Sequence, residues 1–227
     1  NVSKNYQLGD NLIKALNDVT VEINNNDFIS IMGPSGSGKS TFLQVASILA
    51  EPTNGQIFLK NKDVTSYNEI ERAKLRNKEI GFVFQQFNLL ARPSALDNVA
   101  LPLVYAGVKP AEQLKRAKEI LTKVGLEDRL DNTPAQLSGG QQQRVAIARA
   151  LINDPSIIFA DEPTGNLDSK SGEEIMKILK DLHKEGKTIV MVTHEEEIAA
   201  FAKRQIVFRD GKIIKDTGTK RNSAKHI

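Results

Sequence analysis

Gly33-Pro34-Ser35-Gly36-Ser37-Gly38-Lys39-Ser40-Thr41 is the stretch that most restricts what this chain can fold into. Its spacing, Gly-x4-Gly-Lys-Ser, is that of a phosphate-binding loop, which works only with a strand running in and a helix running out. Both neighbours have that texture: the β-rich Ile29-Ser30-Ile31 precedes the loop, and helical spacing runs from Lys39 to about Ala50. Glycines let consecutive backbone N–H groups turn inward on phosphate oxygens, and the helix adds its positive N-terminal end. Lys39 would reach the β- and γ-phosphates of a nucleoside triphosphate, and the Ser40 hydroxyl would bind Mg2+.

The rest of the chain continues the strand–helix alternation. Val19 to Ile23 and Phe28 to Met32 read as β-rich stretches joined by a polar turn, and Gln56 to Leu59 and Ile80 to Phe84 as strands. Near Asn88 the texture changes. Ser94 with Asp97 three residues on marks a helix start, Pro102 and Gly107 read as breaks, and Leu114, Ala117, Ile120, Leu121 and Val124 have helical spacing. Gly139 to Ile152 is helical again. Strand 157–160, helix 170–184, strand 188–192, a short helix near 195–202 and a hairpin turning at Asp210-Gly211 follow. This pattern predicts one α/β domain over 1–227 with a mostly parallel sheet. Residues 1–87 and 151–227 would form the catalytic core, with 88–150 as a helical insertion.

Several polar residues fall just past predicted strands, the edge at which open α/β sheets bind ligands. Asp161 and Glu162 end strand 157–160. Asp161 would hold Mg2+ through its water shell, and Glu162 would orient or deprotonate a water attacking the γ-phosphate. His194 follows strand 188–193 at the same edge, placed to hydrogen-bond the γ-phosphate. Gln85 and Gln86 follow strand 80–84, and either amide could ligate Mg2+ or touch the water. Tyr6 offers an aromatic face for adenine or for packing on the sheet.

A second anion-binding helix start lies at Leu137-Ser138-Gly139-Gly140-Gln141-Gln142-Gln143-Arg144. One nucleotide already has its cradle at Gly33–Thr41, so this end needs a phosphate from elsewhere. A two-fold dimer supplies it, each Ser138 end capping the nucleotide of the partner chain.

Composition narrows the class. The 227 residues are 40% hydrophobic and 26% charged, as in a globular domain, and contain no cysteine for a disulfide or thiolate metal site. No apolar run is long enough to span a membrane and no signal peptide stands at Asn1. The net charge of +3 owes much to Lys212, Lys215, Lys220, Arg221 and Lys225. With no aromatics between them, these read as a solvated tail rather than a nucleic-acid contact.

The phosphate loop 33–41, Gln85, Leu137-Ser138-Gly139-Gly140-Gln141, the strand and acids 157–162, Gly165-Asn166-Leu167-Asp168 and His194, in that order, resemble the ATP-binding subunit of ABC transporters. The resemblance covers nearly the whole chain. It implies a RecA-like P-loop core with an N-terminal antiparallel β subdomain and an inserted α-helical subdomain. It also implies ATP and Mg2+ as cofactors and two copies closing on two ATP. Roles follow from it: Gln85 reaches Mg2+ and the water, Tyr6 stacks on adenine, Asp168 lies at the dimer seam, and Ser138 and Gly140 meet the partner's γ-phosphate. Residues 81–90, 101–107 and 162–169 look like the branch holding macrolide exporters, lipoprotein-release ATPases and the cell-division ATPase, the macrolide-exporter type most. A transmembrane permease partner and a cytoplasmic location on the inner membrane face follow, with Phe87, Leu89 and Leu90 lining a groove for the permease. The other reading is a regulatory ATPase signalling to a division or stress-sensing complex; a DNA-repair ATPase would carry long coiled-coil or zinc insertions. The chain departs from the family at its start, which reads as trimmed, and at Ala46-Ser47-Ile48-Leu49, which lacks a frequent glycine.

Overall fold

A computed structural model describes residues 1–218; Lys220, Arg221 and Lys225 of the basic run lie outside them. The chain opens with a hairpin, β1 (Val2–Leu8) and β2 (Asn11–Val19), paired antiparallel across a two-residue turn at Gly9-Asp10. Of the stretch Val19 to Ile23, expected as a strand, only Val19 is paired, as the end of β2, and residues 20–23 pair with nothing regular. Val21 and Ile23 instead lean on the apolar cluster, so their alternation records packing without a ladder. β3 (Phe28–Met32) leads through the glycine loop into α1 (Lys39–Ala46). The helix stops short of Ala50, because Ile48 takes a left-handed φ of 53° while its side chain stays buried. A short hairpin, β4 (Phe58–Leu59) and β5 (Lys62–Asp63), precedes α2 (Glu69–Glu79) and β6 (Ile80–Val83).

A helical lobe follows, built from α3 (Ala95–Tyr105), α4 (Pro110–Lys123), a 3-10 turn at Pro134–Gln136 and α5 (Gly139–Leu151). Ser94 caps α3 through its box with Asp97, as expected. Pro102 does not break that helix. Val99, Ala100 and Leu103 are buried in the lobe, and this packing outweighs the missing N–H. Gly107, at φ 71°, does end the segment. The chain returns through β7 (Ile157–Asp161), α6 (Ser169–Lys184), β8 (Thr188–Val192), α7 (Glu196–Ala199), β9 (Arg204–Arg209) and β10 (Lys212–Asp216).

The main sheet has the order β10-β9-β3-β8-β7-β6. All neighbours are parallel except the closing β9–β10 pair. Both faces are covered, as a parallel sheet requires. Phe159, Val190 and Val192 face a cluster with Phe42, Leu43 and Val45 of α1. Ile158, Ala160, Ile189 and Met191 face Ile147 and Leu151 of α5 and Ile175, Met176, Leu179 and Leu182 of α6. A third cluster fills the lobe, and α5 belongs to it as well through Val145 and Ala148. Among the described residues no helix is long and apolar enough to cross a membrane.

The helix α5 lies directly on β6. A Cβ added at Gly81 would sit 2.6 Å from the Ala150 carbonyl oxygen and 3.2 Å from Pro155. Backbone cannot yield as a side-chain tip does, so Gly81→Ala is expected to destabilise the domain by about 1–3 kcal/mol, the range for overpacked cores. Urea unfolding checks this, and an unchanged midpoint would show that α5 can lift off β6 without cost.

Candidate nucleotide site

The phosphate loop is shaped by what surrounds it. A side chain at Gly33 (φ 146°) would strike the Phe208 carbonyl and lie 2.7 Å from Ser37 Oγ; one at Gly38 (φ 101°) would strike the Ala15 carbonyl. β9 on one side and β2 on the other thus leave room only for bare backbone, which frees the intervening N–H groups to point at an anion. The turn of the β9–β10 hairpin locks this down: Gly211 N–H donates to the Ser37 carbonyl (3.0 Å), and Asn17 N–H to the Gly211 carbonyl (2.9 Å). Lys39 is buried at the start of α1, its Nζ donating to the Gly33 (2.8 Å) and Pro34 (2.9 Å) carbonyls, so the ammonium is held over the loop.

Parallel pairing brings three further strand ends alongside. Asp161 is the last residue of β7, opposite Val192 of β8, and Ala160 pairs with Val83 of β6. Glu162 takes a left-handed φ of 45° while its N–H still donates to the Val192 carbonyl (3.0 Å). The backbone turns sharply there, a conformation that costs energy for a non-glycine residue and concentrates at functional sites. Glu162 Oε1 lies 3.1 Å from His194 Nδ1, joining the two residues expected at this edge. A Cβ at Gly165 would be 2.9 Å from Gln85 Nε2 and 3.3 Å from Glu162 Oε2, so Gln85 and Glu162 share one small space. This separates the two candidate amides: Gln85 faces Glu162, and Gln86 is exposed. Asn166 Nδ2 donates to the Gln85 carbonyl (2.9 Å) and pins it there.

Asp161 is half-buried. Burial raises its carboxyl above the usual carboxylate range, the neighbouring Glu162 charge adds to this, and Lys39 opposes it. Asp161 and Gln85 do not line the cleft that Ser40 lines, but all three follow or end neighbouring strands or their loops at one sheet edge, and a carboxylate, a hydroxyl and an amide there are hard oxygen donors. Mg2+ fits such a set, since it takes one or two carboxylates and completes its shell with water and phosphate.

The cleft at this edge has a volume of about 1490 Å3. Its lining includes Gly33, Pro34, Ser35, Gly36, Gly38, Lys39, Ser40, Thr41, Glu162 and His194, with Ser37 buried beneath the loop. The other walls carry no motif: Ile13, Lys14 and Ala15 from β2, and Gln205, Asp210 and Lys215 from the last hairpin. Lys215 therefore belongs to the cleft wall and not to a tail. Only the tertiary fold brings these segments over the loop; the Asp210-Gly211 turn was visible in the sequence, its place was not. Tyr6 is not among the lining residues. It pairs with Ile13, which is, so the two side chains share a face of the hairpin, and Lys4 Nζ sits 5.1 Å from the Tyr6 ring.

Ser138, Gly140 and Asp168 line this cleft no more than Tyr6 does. Ser138 is exposed and caps α5: its N–H donates to Gln141 Oε1 (2.9 Å), and its Oγ accepts from Gln141 N–H (3.3 Å). Asp168 caps α6, accepting from Ser171 N–H (3.0 Å) and Oγ (2.7 Å), which holds its carboxyl below the ordinary range. The two caps touch, since a Cβ at Gly140 would lie 2.8 Å from Ser171 Oγ. Of the apolar residues expected in a docking groove, Leu89 packs against the lobe's core, Phe87 is half-buried and Leu90 is exposed.

Residues 16–165 match the family described as ABC transporter. A macrolide export ATP-binding/permease protein, MacB, of Chlorobium luteolum is 54% identical over 95% of this chain, and the chain spans about a third of that relative's length. An uncharacterised ABC transporter ATP-binding protein of Thermotoga maritima is 51% identical over 93% of this chain and 91% of its own. Among solved structures, a dimeric post-hydrolysis state of the ATP-binding cassette MJ0796 bound to ADP and Pi has a TM-score of 0.88 at 48% identity, with 95% of each chain covered.

The raised Asp161 carboxyl has a measurable sign. Its charged form is disfavoured in the folded chain, so the penalty is fully present above its folded pKa and vanishes below the unfolded value near 3.9. Without nucleotide or metal, Asp161→Asn is expected to raise the melting temperature at pH 7, and the gain should shrink as the pH falls towards 4. A gain independent of pH would assign the effect to packing.

Proposed function

The chain belongs to the ABC transporter family, and on that premise we propose that it hydrolyses ATP between two copies of itself and drives a transmembrane permease. The observation that carries this reading is a division of labour. Lys39, Glu162 and His194 line one cleft, while Ser138 caps a helix that is not part of it.

ATP binds with its phosphates in the Gly33–Thr41 loop, under the Lys39 ammonium. Ser40, Asp161 and Gln85 would hold Mg2+, which neutralises charge building on the phosphates when bound. Glu162 accepts a hydrogen bond from the attacking water and draws its proton away. His194, held by Glu162 through Nδ1, has Nε2 left to face the γ-phosphoryl oxygens. Ser138 and Gly140 of one copy meet the γ-phosphate bound by the other, with Asp168 at the seam between them. Tyr6 stacks on the adenine at the mouth of the cleft. Phosphoryl transfer asks chiefly for such positioning and charge stabilisation. The relatives named for macrolide export favour a transporter over a signalling ATPase, so the work done is export of a drug, peptide or lipoprotein. On this reading the chain works in the cytoplasm against the inner face of a membrane, and Leu90, which is exposed, would turn towards the permease.

Glu162→Gln keeps the side chain's size but removes the base. Turnover should fall about 100- to 10,000-fold while ATP still binds. Uncleaved γ-phosphate then bridges both copies, so gel filtration with ATP should give a stable dimer. A monomer with ATP bound would rule out the two-chain site.

The two phosphate contacts should also separate. Lys39→Ala is expected to weaken ATP binding to the monomer roughly tenfold or more, the loss of one charge-assisted hydrogen bond. Ser138→Arg should leave that affinity within about twofold yet abolish turnover, because Ser138 serves the partner's ATP. Equal losses of monomer affinity, read with a fluorescent nucleotide, would place Ser138 in its own chain's site.

A further inference from the structure

Two polar side chains of α5 reach the catalytic loops from behind. Gln143 is fully buried. Its Nε2 donates to the Pro163 carbonyl (2.7 Å), just after Glu162, and more weakly to the Phe84 carbonyl (3.5 Å), just before Gln85. Arg149 donates from Nη1 to the Asn88 carbonyl (2.6 Å) and from Nη2 to the Phe87 carbonyl (2.8 Å). Gln85 is thus bracketed: Gln143 holds the residue before it, and Arg149 the second and third residues after it.

The form of these contacts argues against simple packing. Phe87 and Asn88 both have left-handed φ, 61° and 50°, which non-glycine residues keep only when their surroundings over-determine it. Arg149 makes no ion pair with a carboxylate among the described residues, and burial pushes its guanidinium below its ordinary value. Arg149 is half-buried, and a cation partly withdrawn from water without a counter-charge is costly, so a well-packed apolar residue would serve mere stability better. What a guanidinium supplies instead is a planar fork that fixes two carbonyls at once.

We propose that Gln143 and Arg149 are positioning residues that make the Gln85 and Glu162 loops move with the helix beginning at Ser138. The inference rests on Ser138 meeting the partner's nucleotide. When that γ-phosphate draws the start of α5, the helix moves as a rod, and carbonyls on both sides of Gln85 and beside Glu162 move with it. Each copy then reads, at its own attacking water, whether its partner is loaded. The two ATP sites are thereby coupled through one helix per chain.

The test compares wild type, Arg149→Lys and Gln143→Leu in four measurements: melting temperature, monomer affinity for a fluorescent ATP analogue, kcat, and the Hill coefficient of ATPase activity. A lysine keeps the charge but cannot hold two carbonyls in one plane. Displacing a catalytic group by about 1 Å costs on the order of 100-fold in rate, so both variants should lose about 10- to 100-fold in kcat. Monomer affinity should stay within twofold and the Hill coefficient should fall towards one. If Arg149→Lys melts early, Gln143→Leu decides by the same readings. Retained kcat and cooperativity in a folded variant overturn the inference, as does loss of monomer affinity in step with stability. If wild type itself fails to hydrolyse ATP, the functional reading falls and takes this one with it; an active wild type beside equally active variants removes only the coupling.

Discussion

The parallel registry of β3, β8, β7 and β6 is the constraint that Lys39, Gln85, Asp161, Glu162 and His194 all inherit. Parallel neighbours end at the same edge, so the residues after Met32, Val83, Ala160 and Val192 arrive together although they are up to 160 positions apart. The strand order also matters. β8 lies between β3 and β7, which puts His194 between the phosphate loop and Glu162, with Gln85 one strand further out. Apolar side chains on both faces of the sheet hold this order, so the positions of charged groups at the rim are set by the packing of Ile, Val and Phe well away from them.

Legibility in the sequence followed the range of the forces involved. The phosphate loop was readable because glycine spacing and a flanking strand and helix are local requirements. Asp161, Glu162 and His194 were readable because each immediately follows an apolar strand. The helix α2 gave little signal, since its stability comes from the box of Asn68 with Glu71 and from Arg72 and Arg76 reaching Glu69, not from an apolar stripe. Its cap pair was nonetheless in the sequence. The hairpin β1–β2 was implied by the resemblance but not read from the residues, and residues 20–23 were overread, because alternation alone cannot say whether a stretch finds a partner strand. The cleft walls at Ile13–Ala15 and Lys215 had no motif to find, and Gln143 and Arg149 read as part of an ordinary helix.

The helix α5 occupies an unusual position between the layers. Its Ile147 and Leu151 are part of the sheet's core, its Val145 and Ala148 part of the lobe's core, and Gly81 lets its backbone rest on β6. Division of the chain into core and insertion therefore runs through this helix. A change in lobe packing is passed to the sheet edge by a rigid element and needs no flexible linker.

Two serine caps in this chain show how a common local device can be left open for use. At Ser94, the hydroxyl accepts from Asp97 N–H and spends its own proton on the Asp97 carboxylate (2.7 Å). At Ser138 the equivalent partner is Gln141, whose side-chain oxygen is taken by the Ser138 backbone N–H, and the hydroxyl serves only as an acceptor among the described residues. The proton of Ser138 is thus unspent at an exposed helix end. Aspartate or asparagine would cap as well. Aspartate would set a negative charge against any arriving anion, and asparagine, with its oxygen engaged in the cap, would present a larger amide. Serine is the smallest cap that finishes the helix and still has a hydrogen to give.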